Sequence, residues 1–171
     1  MITDLLLDRP WLSPAAQALL VVLGPVLGRW LVDRPRLAWA LTGVSLLPVA
    51  VLTLLPVDRE LYARCTVQFA FPTPGRVELM ANVVLFVAPL LLAGVATRRP
   101  LLALAAGTAG SAALEAVQAA VPGIGRSCDT GDWWCNTLGA LVGAALAWAA
   151  LRSARRGQPD SEGPLRSMAR S

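Results

Sequence analysis

An all-α bundle of about five membrane-crossing helices is the fold class this sequence predicts, and three observations predict it. Charged residues make up only 15% of the chain, against roughly a quarter in soluble domains. The apolar residues fall into five runs of roughly 18 to 22, the length that crosses about 30 Å of hydrocarbon at about 1.5 Å per residue. Every positive residue is arginine, and the arginines gather in the segments between runs and in the C-terminal tail, as membrane orientation requires.

The first span, Ala15–Val32, reads as a retained helix. Asp4, Asp8 and Arg9 precede it instead of a positive leader, and no clear small-residue cleavage site follows. Gly24, Pro25 and Gly28 interrupt it, and Arg29 near its end can snorkel to the interface. The linker Asp33-Arg34-Pro35-Arg36 leads to the second span, Leu37–Leu55, which contains Pro48. A longer loop around Pro56–Arg76 precedes the third, Val77–Ala96, which contains Pro89. Each internal proline removes a backbone hydrogen bond and tends to kink its helix.

Arg98-Arg99-Pro100 then turns the chain into the fourth span, Leu101–Val121. Pro122–Cys135 reads as a loop and Asn136–Leu151 as the fifth span. On that span Gly139 and Gly143, continued by Ala140, Ala144 and Ala147, form a small-residue face that lets another helix approach closely. A helix of the same chain is the favoured partner. Residues 1–76 therefore form an N-terminal pair of helices with an outer loop, and 77–151 a three-helix membrane core. Residues 152–171, rich in Arg, Ser, Gly and Pro, are expected to be a disordered cytoplasmic tail.

Counting arginines orients the bundle. With the N-terminus outside, Arg34, Arg36, Arg98, Arg99, Arg152, Arg155, Arg156, Arg166 and Arg170 fall on the inner side. Arg9, Arg59, Arg64, Arg76 and Arg126 fall on the outer side, so the bias favours N-out and C-in. Trp11, Trp133 and Trp134 then mark outer span ends, and Trp30, Trp39 and Trp148 inner ones, where an amphipathic ring prefers to sit. The net charge of +4 forms no basic face and no nucleic-acid module, so nucleic acid is not an expected partner. Membrane lipids are.

Polar residues gather at the outer end. Glu115 and Gln118 share a face of the fourth span, and Glu115 lies roughly 10 Å below the helix end, where an ionisable group is costly and marks a functional candidate. The following loop carries Arg126, Asp129 and Asp132, Asn136 opens the fifth span, and Glu78 and Asn82 lie near the same surface on the third. A carboxylate at the edge of hydrocarbon must be neutralised or paired, and Arg126 is the natural partner because guanidinium binds carboxylate bidentately. The chain has no histidine, so proton transfer near neutral pH would fall to carboxylates or cysteine. No metal or other cofactor is expected, because the carboxylate spacing specifies no site and three cysteines without histidine do not suit zinc.

Cys65, Cys128 and Cys135 all fall in outward loops or at an outer helix end, where disulfides persist. Cys65 with Cys128 is the preferred pair, tying the second outer loop to the polar loop. Cys135 is then left over near the interface.

These residues resemble the VanZ-like family of bacterial membrane proteins. The resemblance lies in Glu115-x-x-Gln118, Arg126-x-x-Asp129-x-x-Asp132 and Asn136-x-x-Gly139-x-x-x-Gly143, in the family's order, with Asn82 and Phe86 upstream. It covers about Glu78–Ala150, and Pro89 stands one residue later than the family's proline. The resemblance implies a cell-envelope context, and through the family's namesake a link to resistance to the glycopeptide teicoplanin.

Three functions compete. The favoured one is binding of a lipid-linked or amphiphilic envelope molecule, with Glu78, Asn82, Gln118, Asp129 and Asn136 as binding residues around Glu115, Arg126 and Asp132. In an enzyme, Glu115 would act as acid or base, Arg126 would hold an anionic group, and Asp132 would orient Arg126 or a water. The third is a structural or partner-binding bundle in which these groups are interhelical glue.

Overall fold

The structure is a computed structural model that describes Arg9 and residues 11–57, 63–73 and 75–157. Among the described residues, five long helices follow one another: α1 (Leu12–Leu31), α2 (Pro35–Leu54), α3 (Val77–Thr97), α4 (Pro100–Ala120) and α5 (Thr130–Arg156). All five are long and apolar enough to cross a membrane. Arg59, Arg166, Arg170 and the tail beyond Gly157, whose disorder the sequence leads one to expect, lie outside the described residues.

The helix boundaries follow local chemistry. Pro35 and Pro100 stand at the first helical positions of α2 and α4, where the missing N–H has no intrahelical partner to lose. Between α3 and α4, Arg98 adopts a left-handed φ of 55° and its N–H returns to the Val95 carbonyl at 3.1 Å. One left-handed residue of this kind ends a helix, and Pro100 starts the next.

The largest departure from the sequence expectation is at α5. It begins at Thr130, six residues before Asn136, so Asp132, Trp133, Trp134 and Cys135 are helical and not part of the loop. Asp129 is the reason. Its Oδ1 accepts the Gly131 N–H at 2.7 Å, capping the helix, and Asp132 in the first turn favours the positive helix end. At the other end α5 runs through Arg156, with Arg155 and Arg156 in its last turn, so residues 152–156 assigned to the tail continue the helix.

Packing makes α3 and α5 the axis of the bundle. In their apolar windows 56% and 50% of residues are buried, against 17% in α1 and α2 and 11% in α4. Gly139 and Gly143 hold these two helices together: a Cβ on Gly139 would collide with the Val83 carbonyl, and one on Gly143 would meet the Val87 carbonyl oxygen at 2.6 Å. The small-residue face is thus filled by a helix of the same chain. One core cluster joins Leu31, Val87, Leu91, Val95, Ala147 and Ala150, and a second joins Val49, Phe86, Leu90, Ala103 and Ala140.

The outward faces reverse the pattern of a water-soluble protein. Val22 and Val26 of α1, Leu47 of α2 and Leu101 of α4 are all more than half exposed. So large an apolar surface is stable facing lipid, not water. Among the tryptophans, Trp11, Trp30, Trp39 and Trp148 are exposed near helix ends, and Arg29 is exposed as a snorkelling arginine should be.

Candidate functional site

One end of the bundle is closed by a small cross-linked cap. Cys65 and Cys128 form a disulfide with Cα atoms 4.5 Å apart, and Cys135 is free and buried. Around the disulfide the two loops pair as short parallel strands, β1 (Cys65–Thr66) and β2 (Cys128–Asp129), with Cys65 opposite Cys128 and Thr66 opposite Asp129. The Cys128 N–H donates to the Arg64 carbonyl at 2.9 Å, and the Val57 N–H to the Ile124 carbonyl at 3.0 Å. Gly125 turns here with φ 69°, and a Cβ at this position would strike the Val57 carbonyl, so only glycine suits this contact.

Beneath the cap the predicted carboxylates converge. Glu115 on α4 accepts the backbone N–H of Asp129 through Oε2 at 2.6 Å. Asp132 on α5 accepts from Asn82 Nδ2 on α3 at 2.5 Å. Glu115 lies within electrostatic range of Asp129 and Asp132, and Asp132 within range of Asp129, Glu78 and Arg126. Glu115, Asp129 and Asp132 are all half-buried and Glu78 is exposed, so three helices and one loop bring four carboxylates to one end of the bundle.

Arg126 departs from its expected role. Glu115, the carboxylate expected to pair with its guanidinium, accepts the main-chain N–H of Asp129 through Oε2, because β2 turns that amide toward α4. The Nε of Arg126 is buried and has no hydrogen-bond partner among the described residues. A buried N–H without an acceptor costs about 1–3 kcal/mol. It stands beside an acidic cluster, ready to donate.

The other predicted residues join helices. Gln118 donates to the Thr53 carbonyl of α2 at 3.0 Å, and Asn136 donates to the buried Ser111 hydroxyl of α4 at 2.9 Å. The Asn136 Oδ1 is itself buried without a partner among the described residues. Bonds of this kind contribute about 1 kcal/mol each in membrane bundles.

Two residues escaped the sequence reading. Gln68 donates through Nε2 to Asp129 Oδ2 at 2.5 Å, and its main-chain N–H donates to Thr130 Oγ1 at 2.8 Å. Thr130 Oγ1 in turn donates to the Gln68 carbonyl at 2.9 Å. The cysteine pairing carried the signal: once Cys65 sits opposite Cys128 in parallel register, the residues just after each cysteine become neighbours. Among the described residues no group of three or more Asp, Glu or Cys is arranged to hold a metal ion.

This geometry coincides with a family match. A family model described as VanZ/LLP1 matches residues 19–152. The match begins within α1 and so extends beyond the three helices that carry the polar motifs. Neither a curated protein nor a solved structure matches the chain.

Proposed function

The chain belongs to the VanZ/LLP1 family, and on that premise we propose that it binds a lipid-linked or amphiphilic envelope molecule at the polar site beneath the disulfide cap. The observation that carries this reading is the Nε of Arg126, buried and unpartnered among the described residues, beside Asp132, which itself neighbours Asp129 and Glu115. A ligand with an anionic or carbonyl acceptor would complete the arginine, and its hydroxyl, amide or ammonium donors would meet the carboxylates. The apolar part of an amphiphile would remain in the bilayer beside the half-buried site.

The arginine bias, with Arg34, Arg36, Arg98, Arg99, Arg152, Arg155 and Arg156 at the opposite end, favours an outer-leaflet position for this site, with the C-terminus cytoplasmic. A cysteine placed at Ser167 should then be labelled by an impermeant thiol reagent only after the cells are opened. In this setting the protein would act on the envelope by holding or shielding its ligand, and a role in glycopeptide (teicoplanin) resistance is the phenotype to examine.

The test compares Arg126→Gln and Glu115→Gln with the unmodified chain purified from its own membranes. Mass spectrometry should find an amphiphile retained by the unmodified chain and lost from Arg126→Gln, with helicity and the disulfide intact. Equal retention by all three proteins would refute the binding site. A changed lipid inventory in cells making the protein would point to catalysis, with Glu115 as the acid or base. The Gln118–Thr53 and Asn136–Ser111 bonds favour a second reading, in which the polar groups only join helices. Under it both variants would lose assembly and ligand together.

A further inference from the structure

The end of the bundle away from the disulfide gathers arginine in a way the proposed function does not use. Arg29 of α1 and Arg152 and Arg156 of α5 line a concavity of about 610 Å³ beside Trp148. A second concavity of about 280 Å³ shares Arg29 with it, adds Arg98 and Arg155, and has Asp33 as its acidic residue. Among the described residues, five guanidinium groups thus surround space that one carboxylate faces.

Several of these groups are held in position. Arg29 Nη1 donates to the Ser153 carbonyl at 2.6 Å, and Arg98 Nη2 to the Val32 carbonyl at 3.2 Å. The guanidinium carbon of Arg152 lies 4.8 Å from the centre of the Trp148 ring. A guanidinium carries five N–H donors, so each keeps most of its donors for another acceptor. Held arginines of this kind suit a phosphate, which they bind bidentately.

Trp148 also borders a third concavity of about 700 Å³ between α4 and α5, walled by Leu101, Leu102 and Leu141 and edged by Arg99. Leu101 is 80% exposed and Leu141 51%, so this trough opens toward lipid. A basic hollow that meets an apolar trough at a tryptophan has the form of an amphiphile's two halves. We infer that this end of the bundle is a second ligand site, which holds an anionic phospholipid. Its phosphate lies among Arg29, Arg152 and Arg156, and an acyl chain lies in the α4–α5 trough. Basic pockets between membrane helices recognise anionic headgroups on this principle. The site is independent of the one beneath the disulfide, since it shares no residue with it.

The test is made on the full chain stripped of lipid in a neutral detergent, where no anionic surface attracts arginine in general. Native mass spectrometry should show phosphatidylglycerol bound at least about tenfold more tightly than phosphatidylcholine of the same chain length, given about fivefold per arginine contact. Arg152→Gln with Arg156→Gln should remove most of that preference. Arg34→Gln with Arg36→Gln, which takes two charges from the same end outside the hollow, should leave it within about twofold. Ala145→Trp, which fills the trough, should weaken both lipids alike. Equal affinities for the two lipids, equal losses from the two arginine pairs, or displacement of the lipid by inorganic phosphate at matched concentration would overturn the inference. Helicity of each variant, read by circular dichroism, separates loss of the site from loss of the fold.

Discussion

Replacing Gly143 with alanine tests the central packing of the bundle. A Cβ at this position would stand 2.6 Å from the Val87 carbonyl oxygen, 2.9 Å from the Leu91 nitrogen and 3.0 Å from the Leu90 Cβ. Ordinary contact begins at 3.4 Å, so α3 and α5 must part locally by about 0.8 Å. Two of the three obstacles are backbone atoms, which cannot swing aside as a side chain can. Overpacking of this kind costs about 1–3 kcal/mol, and a gap of about 0.5–1 Å also weakens the dispersion contacts on either side. Alanine's better helix propensity returns about 1 kcal/mol. The expected net loss is about 1–2 kcal/mol. Gly110 on α4 supplies the opposite sign, because a Cβ there meets nothing within 4 Å, and Gly110→Ala should gain about 0.5–1 kcal/mol. The two variants should therefore differ by about 2 kcal/mol, roughly 30-fold in the ratio of folded to unfolded protein. Reversible unfolding in mixed micelles by added dodecyl sulfate, followed by tryptophan fluorescence, reads this difference. If Gly143→Ala shifts the midpoint the same way as Gly110→Ala, the close approach of α3 and α5 described here is refuted.

Further outcomes follow from the cap. Cys65→Ser, which opens a covalent loop with a sequence separation of 63, should lower stability by about 2–4 kcal/mol, an effect that reductant reproduces in the unmodified chain and not in the variant. Asp129→Ala should cost about 1 kcal/mol through loss of the helix cap, and Asp129→Ser should recover most of it. Hydrogen exchange at the Gly131 amide, which Asp129 Oδ1 now accepts, should quicken in the alanine variant alone.

The candidate site was partly legible before folding. Glu115, Arg126, Asp129 and Asp132 stand out because ionisable groups beside hydrocarbon are costly. Their pairings were not legible. Coulomb attraction alone matches Glu115 with Arg126, but the short ladder between β1 and β2 presents the Asp129 amide to Glu115 first. The start of α5 was hidden for a related reason. Hydrophobicity stops at Asn136, whereas an aspartate cap followed by an aspartate in the first turn starts a helix regardless of apolar content.

The sequence by itself determined the number of apolar spans, because the cost of a bare peptide group in hydrocarbon forces every apolar run of about 20 residues into a helix. It also determined that Gly139 and Gly143 would face a close neighbour, and it singled out the disulfide. Only the tertiary structure decided that α3 is that neighbour, that Gln68 reaches Asp129, and that Arg126 keeps a buried donor free of partners among the described residues. Hydropathy is a property of one segment against the lipid. Which faces meet, and which polar groups are left over when they do, depends on the shapes of all five helices packed at once.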